Sequence, residues 1–346
     1  MDRQLFERVC NTPGVPGYEG AAQDVVMEVL GASCDEVRRD RLGNVIGLKK
    51  ATQLPDGAER PARVMLSAHI DEIGMMVKHI SDKGFIRFQP VGGLNAQVVV
   101  SQRVVIHGRQ PVGGVIVPDT RSDRKDKVTP LEDLLIDTGL SKEALYDHVD
   151  VGDVITFAPE VELLNDKVYV GRNFDDRIGT YCLLEAMSRL GSTAVDAHAV
   201  SSVQEEVGVR GAPVATYAIE PDIGIAIDGS VCWGAYVAEH ESLCTIGEGT
   251  GIYIMDSLTI GDRRLVRFLF ELCERFKIPF QKNIGGGTDA SAIQRTKTGA
   301  LCTTIGAPVR YMHSTVQLCH ADDIEATIEL LKTFLEHAHE LRAETS

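Results

Sequence analysis

The 346-residue sequence lacks a hydrophobic run long enough to cross a membrane, and it is poor in aromatic side chains. No segment approaches the roughly 18 consecutive apolar residues of a transmembrane helix. The opening stretch, MDRQLFERVCNTPG, carries mixed charge and lacks the apolar centre of a signal peptide. We therefore expect a cytoplasmic protein with no membrane partner.

Positive charge is also scarce, because 35 Lys and Arg residues face 50 Asp and Glu residues. The resulting net charge of −15 argues against nucleic acid or anionic lipid as a partner, since both require a basic surface. The acidic excess fits a site that collects divalent cations. It is equally explained by solubility alone, and the composition does not decide between these two interpretations.

The eight cysteines form no CxxC pair, which excludes the usual pattern of a cysteine zinc site. Several lie inside apolar runs such as GALCTTIG. This placement is typical of buried free thiols in a reducing compartment.

The order of the predicted elements indicates an α/β domain interrupted by a small β-domain. The run ARVMLSAH (62–69) is apolar throughout, as in a strand buried on both faces of a parallel or mixed sheet. Short β-like runs fill the region from about residue 75 to 164, with helical signal only around Pro130 to Asp137 and Lys142 to His148. We therefore predict an α/β domain, 1–73 plus 165–346, with an inserted all-β domain, 74–164.

Five motifs place hard metal ligands at the ends of these elements. Taken singly, each has an ordinary explanation: acidic residues cap helices, and paired glutamates occur in solvated turns. The motifs are AHIDEIG with His69 and Asp71, GRNFDDRIG with Asp175 and Asp176, SSVQEEVGVRGA with Glu205 and Glu206, DIGIAIDGS with Asp228, and APVRYMHST with His313.

Taken together, the motifs predict one metal site. Three of them directly follow predicted core strands, and in an open α/β sheet the carboxyl ends of the strands meet at the edge where ligands collect. A set of two histidines and several carboxylates suits zinc, cobalt or manganese, whereas oxygen ligands alone would suggest calcium or magnesium. The set exceeds what one zinc ion requires, so two ions that share a carboxylate are the simplest interpretation.

In this order and with this interruption, the motifs resemble those of the tetrahedral aminopeptidases, also called glutamyl aminopeptidases or endoglucanase-M-like metallopeptidases. The resemblance runs from RLGNVIG through GGGTDASA to the last helix, and only the segment 119–128 looks individual. It implies a zinc-aminopeptidase-type α/β/α catalytic domain and an inserted β-domain that serves dimer formation. It also implies a tetrahedral dodecamer whose internal chamber admits short or unfolded peptides.

The resemblance further implies two divalent metal ions in each subunit, zinc first, with cobalt or manganese as alternatives. By this resemblance His69, Asp175 and Asp228 hold one ion. Asp175, Glu206 and His313 hold the other, so that Asp175 bridges the pair.

The same resemblance makes Glu205 the general base and Asp71 the residue that orients the first histidine. Candidate walls for the substrate pocket are the segment 247–256, with Tyr253, and the glycine-rich turn 285–289, with Gly287 and Asp289. Tight backbone turns alone would also explain the three glycines. The preferred N-terminal residue of the substrate does not follow from these patterns.

Two other functions remain open at this point. A glycosidase also uses paired carboxylates, roughly 5 Å or more apart, with aromatic platforms beside them. One tryptophan, Trp233, and 5% aromatic residues suit such a cleft poorly, and that chemistry does not require two histidines. A non-catalytic metal-binding assembly protein would not need Glu205 beside Glu206.

Overall fold

The structure, a computed structural model, describes residues 1–55, 57–119, 128–232 and 244–341. Trp233 and most of the segment 119–128 lie outside these residues. The helices are α1 Arg3–Asn11, α2 Gly20–Ser33, α3 Ala96–Val99, α4 Lys142–Tyr146, α5 Phe174–Arg189, α6 Gly211–Ile219, α7 Arg263–Phe276, α8 Ala290–Arg295 and α9 Ala321–His337. The strands are β1 Glu36–Arg39, β2 Val45–Lys49, β3 Ala62–His69, β4 Gly74–Ile80, β5 Ile86–Val91, β6 Arg103–His107, β7 Pro111–Pro118, β8 Leu134–Asp137, β9 Val154–Phe157, β10 Glu162–Asn165, β11 Val168–Gly171, β12 Val195–Ser202, β13 Ile223–Ile227, β14 Ser230–Cys232, β15 Thr250–Met255, β16 Phe280–Ile284, β17 Leu301–Gly306, β18 Pro308–Arg310 and β19 Gln317–His320.

An eight-stranded mixed sheet forms the centre of the α/β part, in the order β1-β2-β12-β3-β13-β17-β15-β16. The four central strands, β12, β3, β13 and β17, run parallel to one another. β2 joins this group antiparallel on one side, and β15 joins it antiparallel on the other. The four parallel strands therefore present their carboxyl ends at one edge of the sheet.

Helices cover both faces of the sheet, which explains why β3 is apolar without alternation. Val64 and Leu66 face a core shared with α1, α2, α5, α7 and α9. Met65, between them, faces the opposite core, where it packs with residues of α6 and α8. Successive strand side chains point to opposite faces, so a strand covered on both sides must be hydrophobic at every position. The α/β/α layering predicted from the sequence is confirmed.

A closed six-stranded barrel interrupts this domain, in the order β4-β5-β8-β7-β6-β9. Its strands run from residue 74 to residue 157 and enclose their own hydrophobic core. The prediction of an inserted small β-domain is therefore confirmed. The next strand, β10, begins upstream of the predicted boundary at residue 165 and already belongs to a second, five-stranded sheet, β10-β11-β19-β18-β14.

The helix expected around Pro130 to Asp137 is wrong. A single 3-10 turn, Leu131–Asp133, is followed by strand β8, which pairs with β5 and β7 in the barrel. The run Leu-Leu-Ile is apolar enough for either structure, and pairing within the barrel decides the outcome. The five-stranded sheet, the two strands β15 and β16 and the helices α3, α6 and α8 were not anticipated, because they are short or lack a clear period.

None of the helices in the described residues is long and apolar enough to span a membrane. The eight cysteines form no disulfide with one another, and all except Cys34 are buried, as expected from their apolar surroundings.

A buried ionic cluster fixes the chain just before α5. Glu72, which is 1% exposed, accepts hydrogen bonds from Arg172 Nε at 3.0 Å and from Asn173 Nδ2 at 3.3 Å. Its other carboxylate oxygen accepts from Gly14 N at 3.1 Å and Arg177 Nη2 at 3.4 Å. One glutamate thus connects the N-terminal turn, the end of β3 and the first turn of α5.

We expect Glu72→Gln to lower the free energy of unfolding by roughly 3–5 kcal/mol, because it leaves two buried guanidinium groups without an anionic partner. Urea denaturation measures this change. The same substitution at exposed Glu7, which pairs with Arg3 on the surface, is the matched control and should barely move the midpoint. Equal midpoints for the two variants would contradict the role assigned to Glu72.

Candidate metal and catalytic site

Strand register brings three of the five motifs to one edge of the sheet. β12 pairs with β3 so that Ser202 lies opposite His69, and β13 pairs with β3 so that Ile227 lies opposite Ala68. His69 is therefore level with the ends of both neighbouring strands. Asp228 directly follows β13, and the glutamate pair begins three residues after the end of β12.

The other two motifs reach the same edge from α5 and from the turn between β18 and β19. Asp175 Oδ1 lies 3.1 Å from His69 Nε2, and Asp175 Oδ2 lies 3.2 Å from His313 Nε2. One carboxylate thus contacts both histidines. The backbone amide of Asp175 donates to Gln317 Oε1 at 3.0 Å, which holds this residue against β19.

His313 depends on a glycine that the sequence analysis did not identify. A methyl group placed on Gly93 would lie only 2.8 Å from His313 Nδ1, so a larger residue there would displace the ring. The His313 side chain is 43% exposed, whereas that of His69 is 2% exposed. His313 therefore lies at the open side of the site and His69 at its floor.

Asp71 is completely buried beneath the glutamate pair. Its two carboxylate oxygens accept the backbone amides of Glu205 and Glu206, each at 3.0 Å. Its Oδ1 lies 3.6 Å from His69 Nδ1, while the carbonyl of Asp71 lies 3.2 Å from the same nitrogen. Asp71 therefore contacts the backbone of the glutamate pair as well as the histidine it was expected to orient.

Each glutamate lies close to one of the two histidines. Glu206 Oε2 is 3.7 Å from His313 Nε2, and Glu205 Oε2 is 3.9 Å from His69 Nε2. The Glu205 side chain is 14% exposed, compared with 4% for Glu206. Of the two, Glu205 is the more accessible from the cavity.

Asp176 belongs to the site, although the sequence analysis assigned it no role. It is fully buried, and its carboxylate accepts the amides of His69 at 3.2 Å and Gly179 at 2.9 Å. Its peptide bond to Asp175 is cis. From the sequence alone, this Asp-Asp pair is compatible with helix capping and with metal binding alike.

The arrangement suits divalent metal ions. Ligand atoms of His69, Asp175 and Glu206 lie within 4.8 Å of one another, and so do those of His69, Asp176 and Asp228. Mixed imidazole and carboxylate ligands fit zinc, cobalt or manganese. So many buried carboxylates repel one another strongly, and bound cations would neutralise that repulsion.

Burial and this repulsion shift the pKa values of the acidic residues in the site. Burial and nearby carboxylates raise the pKa of Glu205 to about 7 and that of Glu206 to about 8. Burial and Asp176 raise the pKa of Asp228 well above its usual value. Although burial opposes it, contact with His313 and His69 lowers the pKa of Asp175, and the hydrogen bond to Asp175 raises the pKa of His313 to about 9.

A cavity of about 840 Å³ opens onto these residues. Asp175, both glutamates, Asp228 and His313 line it. Two of the expected substrate contacts, Gly287 and Tyr253, also lie in its wall.

The third expected contact, Asp289, is not among the residues that line the cavity. It is 3% exposed, and one carboxylate oxygen accepts hydrogen bonds from Ser67 at 2.9 Å and Ser202 at 2.5 Å. Asp289 thus lies behind the wall, against β3 and β12. A position beside three glycines does not reveal from the sequence which way the side chain turns.

The chain matches the M42 glutamyl aminopeptidase family over residues 43–330. It is 34% identical to the lysyl aminopeptidase of Pyrococcus furiosus, covering 97% of each chain. Its fold is similar to that of aminopeptidase APDkam598 from Desulfurococcus kamchatkensis, with a TM-score of 0.94, 33% identity and coverage of 99% of this chain and 97% of that one. The TET1 peptidase of Pyrococcus horikoshii gives a TM-score of 0.84 at 30% identity, covering 96% and 98%.

These matches over nearly the whole length show that the chain belongs to the M42 glutamyl aminopeptidase family. It is a hydrolase of peptide bonds, a metal-dependent aminopeptidase whose cofactors are divalent metal ions. The family predicted from the motifs is confirmed, and the family match favours peptide-bond hydrolysis over the glycosidase and non-catalytic alternatives.

Metal binding should release protons. At pH 7 the metal-free protein holds protons on Glu206, whose pKa is about 8, and on His313, whose pKa is about 9. Both residues are predicted metal ligands, and a histidine or carboxylate must lose its proton before it binds a metal ion. Zinc affinity should therefore increase as the pH rises and level off above about 9, because the competing protons have then been lost.

Isothermal titration of zinc into stripped protein at pH 7, in buffers of different ionisation enthalpy, measures the number of protons released. We expect at least one proton per chain. A binding heat that does not depend on the buffer would contradict this account.

Proposed function

We propose that the enzyme removes N-terminal residues from short peptides with two divalent ions bridged by Asp175. The contact of this one carboxylate with both histidines, at 3.1 Å and 3.2 Å, carries the proposal. A carboxylate that lies between two histidines is well placed to be shared by two ions. Oδ1 and Oδ2 of Asp175 already face different imidazole ligands.

The proposed ligands of one ion are His69, Asp175 and Asp228, and those of the other are Asp175, Glu206 and His313. Asp176 is the competing candidate, since it lies within the same group of donor atoms. Both hydrogen bonds that its carboxylate accepts come from backbone amides. We therefore assign Asp176 a supporting role, while Asp175 and Asp228, which line the cavity, act as ligands.

When bound, the ions would supply Lewis acidity, which lowers the pKa of water and polarises a carbonyl group. Glu205 is the proposed general base because it is the more exposed of the two glutamates and its carboxylate lies beside His69 at the cavity. Its carboxylate takes a proton from the attacking water and returns it to the leaving amine. Asp71 holds the backbone of Glu205 in place through the amide hydrogen bond.

The acidic lining of the cavity also supports selection of a free N-terminus. A free N-terminal amine would lie beside a metal ion or a carboxylate of this site, whereas an acetylated N-terminus lacks the amine that this position binds. We propose zinc as the metal, with cobalt or manganese as alternatives, because these ions accept the same ligands.

We expect Glu205→Gln to lower kcat by about 10²- to 10⁴-fold, the usual effect of losing a general base, while two ions per chain remain bound. Aminoacyl p-nitroanilides, offered to metal-stripped protein reloaded with zinc, cobalt or manganese, measure the rate. Their N-acetylated forms test the need for a free amine, and Glu28→Gln on the exposed surface of α2 is the matched control. Full activity of Glu205→Gln with its metals bound would remove Glu205 from this role.

We also propose that the chain associates through its inserted β-barrel, whose strands lie between residues 74 and 157, into dimers and then into a tetrahedral dodecamer. The TET1 peptidase of Pyrococcus horikoshii, which is similar along its whole length, assembles into a tetrahedron or a large octahedral shell. Light scattering on the purified 37.6 kDa chain reports its assembly directly. Cysteines buried without disulfides support a cytoplasmic location.

A further inference from the structure

Among the described residues, the cavity wall beyond the proposed metal ligands and general base is uncharged. In the described part of the chain, the acidic and histidine side chains of the wall are those of the proposed site: Asp175, Glu205, Glu206, Asp228 and His313. No lysine or arginine from these residues faces the cavity. Away from the proposed metal ions, a glutamate side chain would find no lysine or arginine among the described wall residues to pair with, and a lysine side chain would find only groups already assigned to the metals and the proton transfer.

Apolar side chains form the part of this wall that lies beside Asp228, one of the proposed metal ligands. Val309 is fully buried, and Val231 and Met312 lie beside it in the lining. A methyl group placed on Gly229 would lie 3.1 Å from Met312 Cε and 3.4 Å from Val309 Cγ2. Both side chains therefore pack against the backbone immediately after Asp228.

Tyr253 fixes this corner of the cavity. It is 2% exposed, and its hydroxyl donates to the carbonyl of Gly229 at 3.1 Å. The hydroxyl is thereby hydrogen-bonded to the backbone, and Tyr253 contributes to the cavity wall mainly through its aromatic ring. The flexible thioether of Met312 can adapt to apolar groups of different shape.

We propose that this corner binds the side chain of the N-terminal residue and selects uncharged apolar residues such as leucine, methionine and phenylalanine, with Met312 as the specificity-determining residue. The inference rests on the proposed function, because it needs the peptide N-terminus at the metal cluster. Burial of a charged side chain without a partner is unfavourable, so acidic and basic N-terminal residues are disfavoured alike.

Values of kcat/KM for leucyl, glutamyl and lysyl p-nitroanilides test the inference with the metal-loaded enzyme. We expect the leucyl substrate to exceed both charged substrates by at least about 10-fold. Met312→Lys should raise the glutamyl-to-leucyl ratio about 10-fold, and Met312→Glu should raise the lysyl-to-leucyl ratio by a similar factor. Leu164→Lys and Leu164→Glu, on an exposed position of β10, are matched controls that leave both ratios unchanged.

Because Met312 precedes His313, the metal content of each variant is measured alongside its activity. Val231→Lys and Val231→Glu repeat the test from β14, away from the proposed ligands. A wild-type preference for the glutamyl or lysyl substrate would overturn the inference while leaving the aminopeptidase intact. Ratios that stay unchanged in all four variants would remove this corner as the specificity pocket. No cleavage of any free-amine substrate by the metal-loaded enzyme would overturn the proposed function itself.

Discussion

The contact of Asp175 with both His69 and His313 organises the site, and much of the surrounding structure positions this one carboxylate. Gln317 accepts its backbone amide from β19, and Glu72 holds the residues just before it. His69 reaches it from the end of β3, whose neighbours in the sheet deliver the glutamate pair and Asp228. The parallel sheet, the first turn of α5 and the second sheet therefore meet at a single side chain.

The concentration of carboxylates around that contact is unfavourable in the protein by itself. Burial raises the pKa values of Glu205, Glu206 and Asp228, so part of the negative charge is held as bound protons. Cations can replace those protons, since both neutralise the same charge. Metal binding thus offsets the unfavourable free energy of burying so many carboxylates together.

The sequence was sufficient for much of this account because the ligands stand at the ends of strongly apolar strands. A strand such as β3 is recognisable from its continuous hydrophobicity, and its carboxyl end must lie beside those of its parallel neighbours. His69, Glu206 and Asp228 could therefore be predicted together. Other features depend on contacts between distant residues: β8 is a strand because β5 and β7 pair with it, and Asp289 turns away from the cavity because Ser67 and Ser202 bind it. Met312 belongs to the cavity wall because its side chain packs against the backbone of Gly229, and no local pattern in the sequence reveals that contact.

The bridging role of Asp175 is the central claim, and anomalous diffraction from crystals of the zinc-loaded enzyme tests it most directly. We expect two zinc peaks per chain, both at the carboxylate of Asp175. His69 should bind the first ion and His313 the second. A single peak, or two peaks that Asp175 does not join, would contradict it.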